Sequence, residues 1–140
     1  MDSDYDGLST RPNRCLNLRK LRSATRELGR HHISVHDFTR VVHDVLDDVT
    51  LGFERLSTLT PQVSSVPFRL RELYRKTQAA YAQLVDGCFR MLEYCSATRR
   101  RGEISPVLAG LRLVEEALED LDVVEWETTR LLSQRCEVMR

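Results

Sequence analysis

The 140-residue sequence lacks a long apolar run, an excess of charge of either sign and a glycine-rich loop. No stretch approaches the roughly 18 apolar residues that a membrane-spanning helix needs, so an integral membrane protein is not expected. The 21 basic and 21 acidic residues cancel, so net charge favours no class of partner. Hydrophobic residues at 41% and charged residues at 30% are typical of a soluble globular protein with one self-sufficient core.

Targeting and catalytic motifs are also missing. The segment "MDSDYDGLSTRPNRC" is acidic and has no apolar centre, which argues against a secretory signal and against a standard mitochondrial presequence. We therefore expect the cytosol or the nucleus, with entry into an organelle by another route as the alternative. The sequence has no phosphate-binding loop, nucleophile elbow or HExxH zinc motif. It predicts a protein that is not an enzyme and needs no cofactor.

Apolar residues recur with a helical period and alternate nowhere, which indicates an all-α fold. The linkers "TPQVSSVP" and "RRRGEIS" separate the later helices. Short connections between long helices predict an antiparallel three-helix up-down-up bundle, resembling a coiled coil, with a short fourth helix at the N-terminus. After a flexible tail over 1–12, a single domain over 13–140 is predicted, with helices at about 13–29, 34–59, 67–98 and 105–139.

A seven-residue repeat predicts which side chains form the core. In the first helix the apolar positions are Cys15, Leu18, Leu21 and Leu28. In the second they are Val35, Phe38, Val42, Val45, Val49, Leu56 and Leu59. In the third they are Leu70, Leu73, Thr77, Ala80, Leu84, Gly87, Met91 and Tyr94. In the fourth they are Val107, Leu111, Val114, Leu118, Leu121 and Val124, with the phase slipping near Trp126.

The segment "HHISVHDFTRVVHDVLDD" (31–48) holds four histidines and four aspartates, so it raises the question of a metal or acid–base site. Ser34 with Asp37 predicts a helix start, which leaves the first two histidines outside the helix. His36 and His43 share a face but lie about 10 Å apart along the axis, too far to bind one zinc ion. The three later aspartates do not converge. We expect a solvent-exposed helix face and no metal site.

Four cysteines are present, at positions 15, 88, 95 and 136. Cys88 and Cys95 are about 10 Å apart on one helix, beyond the roughly 7 Å that a disulfide spans. In an up-down-up bundle Cys136 lies at the opposite end from both. Internal disulfides are therefore difficult except through Cys15, and buried free thiols are the expectation.

A basic amphipathic segment, "RCLNLRKLRSATRELGR" (14–30), contrasts with residues 115–127, which hold seven acids and no base. Three roles are open: docking on the acidic run of its own bundle, binding a protein partner, or binding nucleic acid or an anionic membrane. The segment has no aromatic residue to stack on bases or to anchor in headgroups. The candidate binding residues are Arg19, Lys20, Arg22 and Arg26.

Surplus apolar side chains outside the main repeat are candidates for contact with another protein, with burial in the core as the alternative for each. They are Phe53, Phe68, Tyr74, Tyr81, Phe89 and Trp126. A bundle with broad apolar stripes offers surfaces for other helices. The sequence thus predicts a non-enzymatic interaction or adaptor subunit whose partners are other, mainly helical, proteins, or a second copy of itself.

Four segments together resemble the caffeine-induced death protein family, small helical proteins associated with the mitochondrial intermembrane space. The segments are "CLNLRKLRSATREL" (15–28), "LDDVTLGFERLSTLTP" (46–61), "ELYRKTQAAYAQLVDGC" (72–88) and "DLDVVEWETTRLLSQRC" (120–136). The stretch 31–44 stands as an insertion in this comparison. The resemblance implies an intermembrane-space factor linked to protein import and retained by cysteine oxidation, with Cys15, Cys88 and Cys136 as the matching redox positions.

Overall fold

A computed structural model describes residues 11–58, 66–96 and 104–138, with side chains described for 13–58, 66–94 and 104–134. These residues form four α-helices and no strand, which confirms the all-α prediction. The helices are α1 (Arg11–Gly29), α2 (Val35–Ser57), α3 (Phe68–Ser96) and α4 (Ser105–Val138). None of them is both long and apolar enough, within the described residues, to cross a lipid bilayer.

The four predicted starts of the helices and the predicted end at residue 29 agree with the structure to within two residues. The predicted ends at 59, 98 and 139 lie outside the described residues. The predicted tail over 1–12 was wrong at its last two positions, because α1 already begins at Arg11. Proline at position 12 is compatible with this start, since the first turn of a helix needs no amide donor from that residue. The rest of the tail, residues 1–10, lies outside the described residues.

The link between α1 and α2 is short and closed by local hydrogen bonds. His31 adopts the left-handed conformation (φ 58°), and the amide of His32 donates to the carbonyl of Glu27 at 2.8 Å. This pattern caps the carbonyl end of a helix. Ser34 then takes an extended conformation and its hydroxyl accepts a hydrogen bond from the amide of Asp37 at 3.0 Å. The predicted helix start at Ser34 is confirmed.

The predicted repeat identifies most of the core. Its buried members are Leu21, Leu28, Phe38, Val42, Val45, Val49, Leu73, Ala80, Leu84, Gly87, Met91, Val107, Leu111, Val114, Leu118, Leu121 and Val124. Two predicted core positions were wrong: Cys15 is exposed, and so is Val35, in the first turn of α2. Leu46 is buried although it lies one position beside the repeat, because α2 is contacted from both sides by α1 and α3.

The four helices pack in a closed order, as in a bundle. The largest interface joins α3 to α4, and smaller interfaces join α2 to α3, α1 to α2 and α1 to α4. The first helix is therefore a full member of the core, to which it contributes Leu21, Ala24 and Leu28.

Gly87 of α3 and Gly110 of α4 mark the closest approach of two helices. A Cβ atom on Gly87 would lie 2.7 Å from the Gly110 carbonyl oxygen, and one on Gly110 would lie 2.6 Å from the Gly87 carbonyl oxygen. Side chains essentially never approach backbone so closely, so both positions require glycine for this packing.

Candidate functional site

The basic segment docks on the acidic run of its own chain. Arg14 donates to Asp122 at 3.0 Å and also to Glu125, and Arg22 donates to Glu115 at 2.9 Å. The Arg14 side chain is only 10% exposed. Burial by itself would lower the pKa of Arg14, but hydrogen bonds and attraction from both carboxylates outweigh it and the pKa is raised. Of the three roles left open for this segment, docking on the acidic run of its own chain therefore occupies Arg14 and Arg22.

The outer side of α1 keeps its other basic residues in solvent. Arg19, Lys20 and Arg26 are exposed, and none of them forms an ion pair with another described residue. Arg19 and Lys20 line one side of an open groove between α1 and α2, with a volume of about 530 Å³. The groove also contains the apolar Ala24, Ile33 and Val41, and the carboxylates Asp37, Asp44 and Glu27. Its two sides thus differ in charge.

Three of the six candidate contact aromatics are used inside the molecule. Tyr74 donates its hydroxyl to the carbonyl of Leu56 at 2.8 Å, which ties α3 to the end of α2. Phe53 and Tyr81 meet edge to face with ring centroids 6.2 Å apart. Tyr81 also lies over Gly52, where a Cβ atom would be 3.2 Å from its ring. All three aromatic side chains are half-buried in the α2–α3 interface, so each of them has a packing role inside the molecule.

The other three aromatics are exposed: Phe68 by 68%, Phe89 by 53% and Trp126 by 62%. Arg71 lies over the Phe68 ring at 5.8 Å and Arg130 lies over the Trp126 ring at 5.5 Å. Such cation–π contacts hold exposed rings in place at a gain of about 0.5–1 kcal/mol each. The rings remain open to another molecule.

Two recesses lie between the outer sides of α3 and α4. One, of about 340 Å³, is lined by Lys76, Ala79, Ala80, Gln83, Asp120, Val123, Val124 and Glu127. The other, of about 230 Å³, is lined by Pro67, Arg69, Leu70, Leu131 and Leu132. Val123 and Leu132 are about half exposed here. Trp126 stands one helical turn from Val123 on α4, so the exposed indole borders the same surface.

The histidines and aspartates of residues 31–48 lie on the solvent side of the molecule. His32 contacts Glu27 at 3.1 Å, and Asp48 accepts a hydrogen bond from the Asn17 amide at 2.8 Å. Among the described residues, no three side chains of the metal-binding types come together.

Of the candidate redox positions, Cys15 is exposed and Cys88 is buried, and both are free thiols. Burial raises the pKa of Cys88 to about 12. Arg14, next to Cys15, contacts Asp122, whereas Gly87, next to Cys88, contacts Val114, eight residues earlier on α4. That spacing separates the two thiols by roughly 12 Å along the bundle. The Cys95 and Cys136 side chains lie outside the described residues.

Sequence reasoning missed several important positions. Gly110 was not singled out because a lone glycine in a helix carries no sign of a close helix contact. Arg14 and Asn17 are buried polar residues. Their helical spacing with Leu21 and Leu28 was a usable signal, but the predicted face counted only apolar side chains. Val123 and the α3–α4 recesses depend on tertiary packing and had no signal in the sequence.

No family model, curated protein or solved structure matches this chain significantly. The resemblance to the caffeine-induced death protein family therefore stays a prediction that depends on the four quoted segments.

Proposed function

We propose that this chain is a non-enzymatic interaction subunit that binds a helix of another protein across the outer surface of α3 and α4. The observation that carries the proposal is the pair of exposed apolar side chains that line the two recesses, Val123 and Leu132 on α4. The exposed Trp126 lies one helical turn from Val123. Exposed apolar side chains grouped along a groove are typical of a protein-binding surface.

The proposal includes an antiparallel up-down order for the helices. Three pairs of neighbouring positions support it: Gly87 lies against Gly110, Ala80 and Val124 line one recess, and Leu70 and Leu131 line the other. Residue numbers thus fall along α4 as they rise along α3. In that arrangement the two recesses join into one groove from Gln83 to Leu70, about 20 Å long, which a partner helix of some 13 residues would fill.

The charges beside the groove define the partner. Lys76 stands on the α3 side, whereas Asp120 and Glu127 stand on the α4 side. An amphipathic helix would therefore place its apolar face on Val123 and Leu131, an acidic residue towards Lys76, and basic residues towards the two carboxylates. Apolar residues at helical spacing would supply most of the affinity, and the charges would set the orientation.

Binding of a macromolecule suits the shapes of the recesses better than catalysis does. The most enclosed of the four recesses described, of about 70 Å³ beside Asn17 and Asp48, is far below the several hundred Å³ of small-molecule sites. The three larger recesses are open grooves. The proposal places the protein in the cytosol or the nucleus.

A photo-crosslinking residue tests the groove directly. p-Benzoylphenylalanine at position 123 should form covalent adducts with a partner in native extract, because this position lies in the groove. The same residue at position 108 is the control, since Leu108 is similarly exposed on α4 but does not line either recess. Mass spectrometry of the adducts identifies the partner helix.

Leu132→Ala should weaken capture of that partner by tenfold or more, about 1.4 kcal/mol, while leaving the helical circular dichroism unchanged, because Leu132 lines a recess and is as exposed as Leu108. Leu108→Ala should leave capture unchanged. Equal adduct yields from positions 123 and 108, or capture that is unaffected by Leu132→Ala, would contradict the proposed surface.

A further inference from the structure

The outer face formed by α1 and α2 has two sides of opposite charge. On α1 the exposed bases that line this face are Arg19 and Lys20, whereas on α2 the exposed acids that line it are Asp37 and Asp44. Arg26 on α1, Arg30 directly after α1 and Asp47 on α2 are also exposed. Between the two sides runs the groove of about 530 Å³, which is lined by the half-buried Ile33 and Val41 and the buried Ala24. Such a face attracts a partner that carries the same two charges in reversed order.

We infer that this face binds the same face of a second copy of the chain, about a two-fold axis parallel to the helices. Rotation about that axis exchanges left and right, so the basic α1 of one copy lies on the acidic α2 of the other, and the reverse. A two-fold axis perpendicular to the helices would instead place α1 on α1 and α2 on α2, with like charges opposed. Charge complementarity therefore selects one occupant and one orientation.

The register supports this pairing. The hydrogen bond from Asn17 to Asp48 fixes the relative height of α1 and α2. With the two helices antiparallel, Lys20 is level with residue 45, and so within about 2 Å in height of Asp44. Under the parallel two-fold axis, heights are kept, so Lys20 of one copy faces Asp44 of the other.

Two exceptions to the charge pattern also agree with this register. Glu27 is an acid on α1, where it contacts His32, and Arg40 is an exposed base on α2. Counting from the same hydrogen bond, Glu27 is level with residue 38, about 3 Å in height from Arg40. The dimer would bring these two opposite charges together as well.

The dimer extends the proposed function to self-association. It rests on the proposed function in one respect, which is that the chain acts through contacts with proteins. The surfaces are different, since partner capture uses α3 and α4. Because much of the α1–α2 face is charged, the dimer should form at low ionic strength and dissociate as salt is added.

Charge reversal provides the test, with mass measured by sedimentation equilibrium in about 50 mM salt, where screening is weak. The wild-type chain should be a dimer. Arg19→Glu with Lys20→Glu makes both sides acidic, and Asp37→Lys with Asp44→Lys makes both sides basic. Each double variant alone should therefore raise the dimer Kd at least about tenfold.

An equimolar mixture of the two double variants should again form a dimer, this time of unlike chains, because every acidic side then meets a basic one. The matched control is Arg75→Glu with Arg112→Glu, which reverses two exposed charges on α3 and α4 and should leave the dimer intact. Circular dichroism confirms that each variant is folded.

A monomeric wild-type chain, a dimer that survives both reversals, or a mixture that stays monomeric would overturn the inference. Photo-crosslinking from position 123, repeated in the Arg19→Glu/Lys20→Glu chain, separates the two proposals. Partner capture that persists without the dimer leaves the proposed function standing, whereas a dimer without any captured partner removes the proposed function alone.

Discussion

At the scale of single residues, Gly87 and Gly110 set how closely α3 and α4 approach. Each lies against the backbone carbonyl of the other, and backbone cannot move aside as a flexible side chain can. Packing at this point requires that neither position carries a side chain, because Val114 and Met91 also lie close to where the two Cβ atoms would be.

Gly87→Ala should therefore destabilise the fold, although alanine is the better helix former. The added Cβ would lie 2.7 Å from the Gly110 oxygen, so the helices must separate, at a cost of about 1–3 kcal/mol. Urea unfolding followed by circular dichroism measures the change. Gly29→Ala is the control, because its Cβ would meet only the Ile104 side chain, at 3.6 Å. Equal stabilities for the two variants would show that the close contact is not required.

Cys88 should make stability depend on alkaline pH. Burial raises the pKa of Cys88 in the folded chain from its ordinary value of 9.0 to about 12. Below pH 9 the thiol is neutral in both the folded and the unfolded chain, so its contribution to the free energy of unfolding is complete there. Between pH 9 and 12 the unfolded chain loses this proton while the folded chain keeps it. The free energy of unfolding should then fall by up to about 1.4 kcal/mol per pH unit from this group.

The comparison of wild type with Cys88→Ala isolates that contribution from other groups that titrate at high pH. The difference in free energy of unfolding between the two chains should shrink as pH rises above 9. Cys15→Ala, which changes an exposed thiol, should follow the wild-type profile. Parallel profiles for wild type and Cys88→Ala would contradict the buried thiol.

At the scale of elements, α1 shows where the sequence pattern is informative and where it is incomplete. The seven-residue repeat predicted the buried face of α3 almost fully, because that helix packs through apolar residues. In α1 the buried face also includes Arg14, Asn17 and Thr25. Those polar residues can be buried because each of them forms a hydrogen bond, with a carboxylate of another helix or with a carbonyl one turn earlier in α1. A pattern of apolar residues does not reveal such partners.

Leu21→Ala tests whether α1 belongs to the core. The side chain is fully buried, so its loss should cost about 2–5 kcal/mol in urea unfolding. Leu108→Ala, at a site that is 49% exposed on α4, should change the stability by no more than about 0.5 kcal/mol. A small effect at Leu21 would mean that α1 does not pack on the other helices in solution.

At the scale of the whole molecule, a net charge of zero conceals an ordered distribution. The sequence already showed the basic segment and the acidic run, and their proximity could be expected from opposite sign. It did not show that only one side of α1 is used internally, which leaves Arg19 and Lys20 facing outward beside acidic α2. That distinction requires the rotation of α1 about its own axis, and tertiary packing determines it.

The ion pairs between α1 and α4 also affect how the chain can fold during synthesis. Arg22 and Arg14 find their carboxylates 93 and 108 residues later in the chain. At about 5–20 residues per second, a ribosome needs roughly 5–20 s to make that stretch. Until then the first helix cannot complete its packing on the last one, so the final fold can form only after most of the chain has been synthesised.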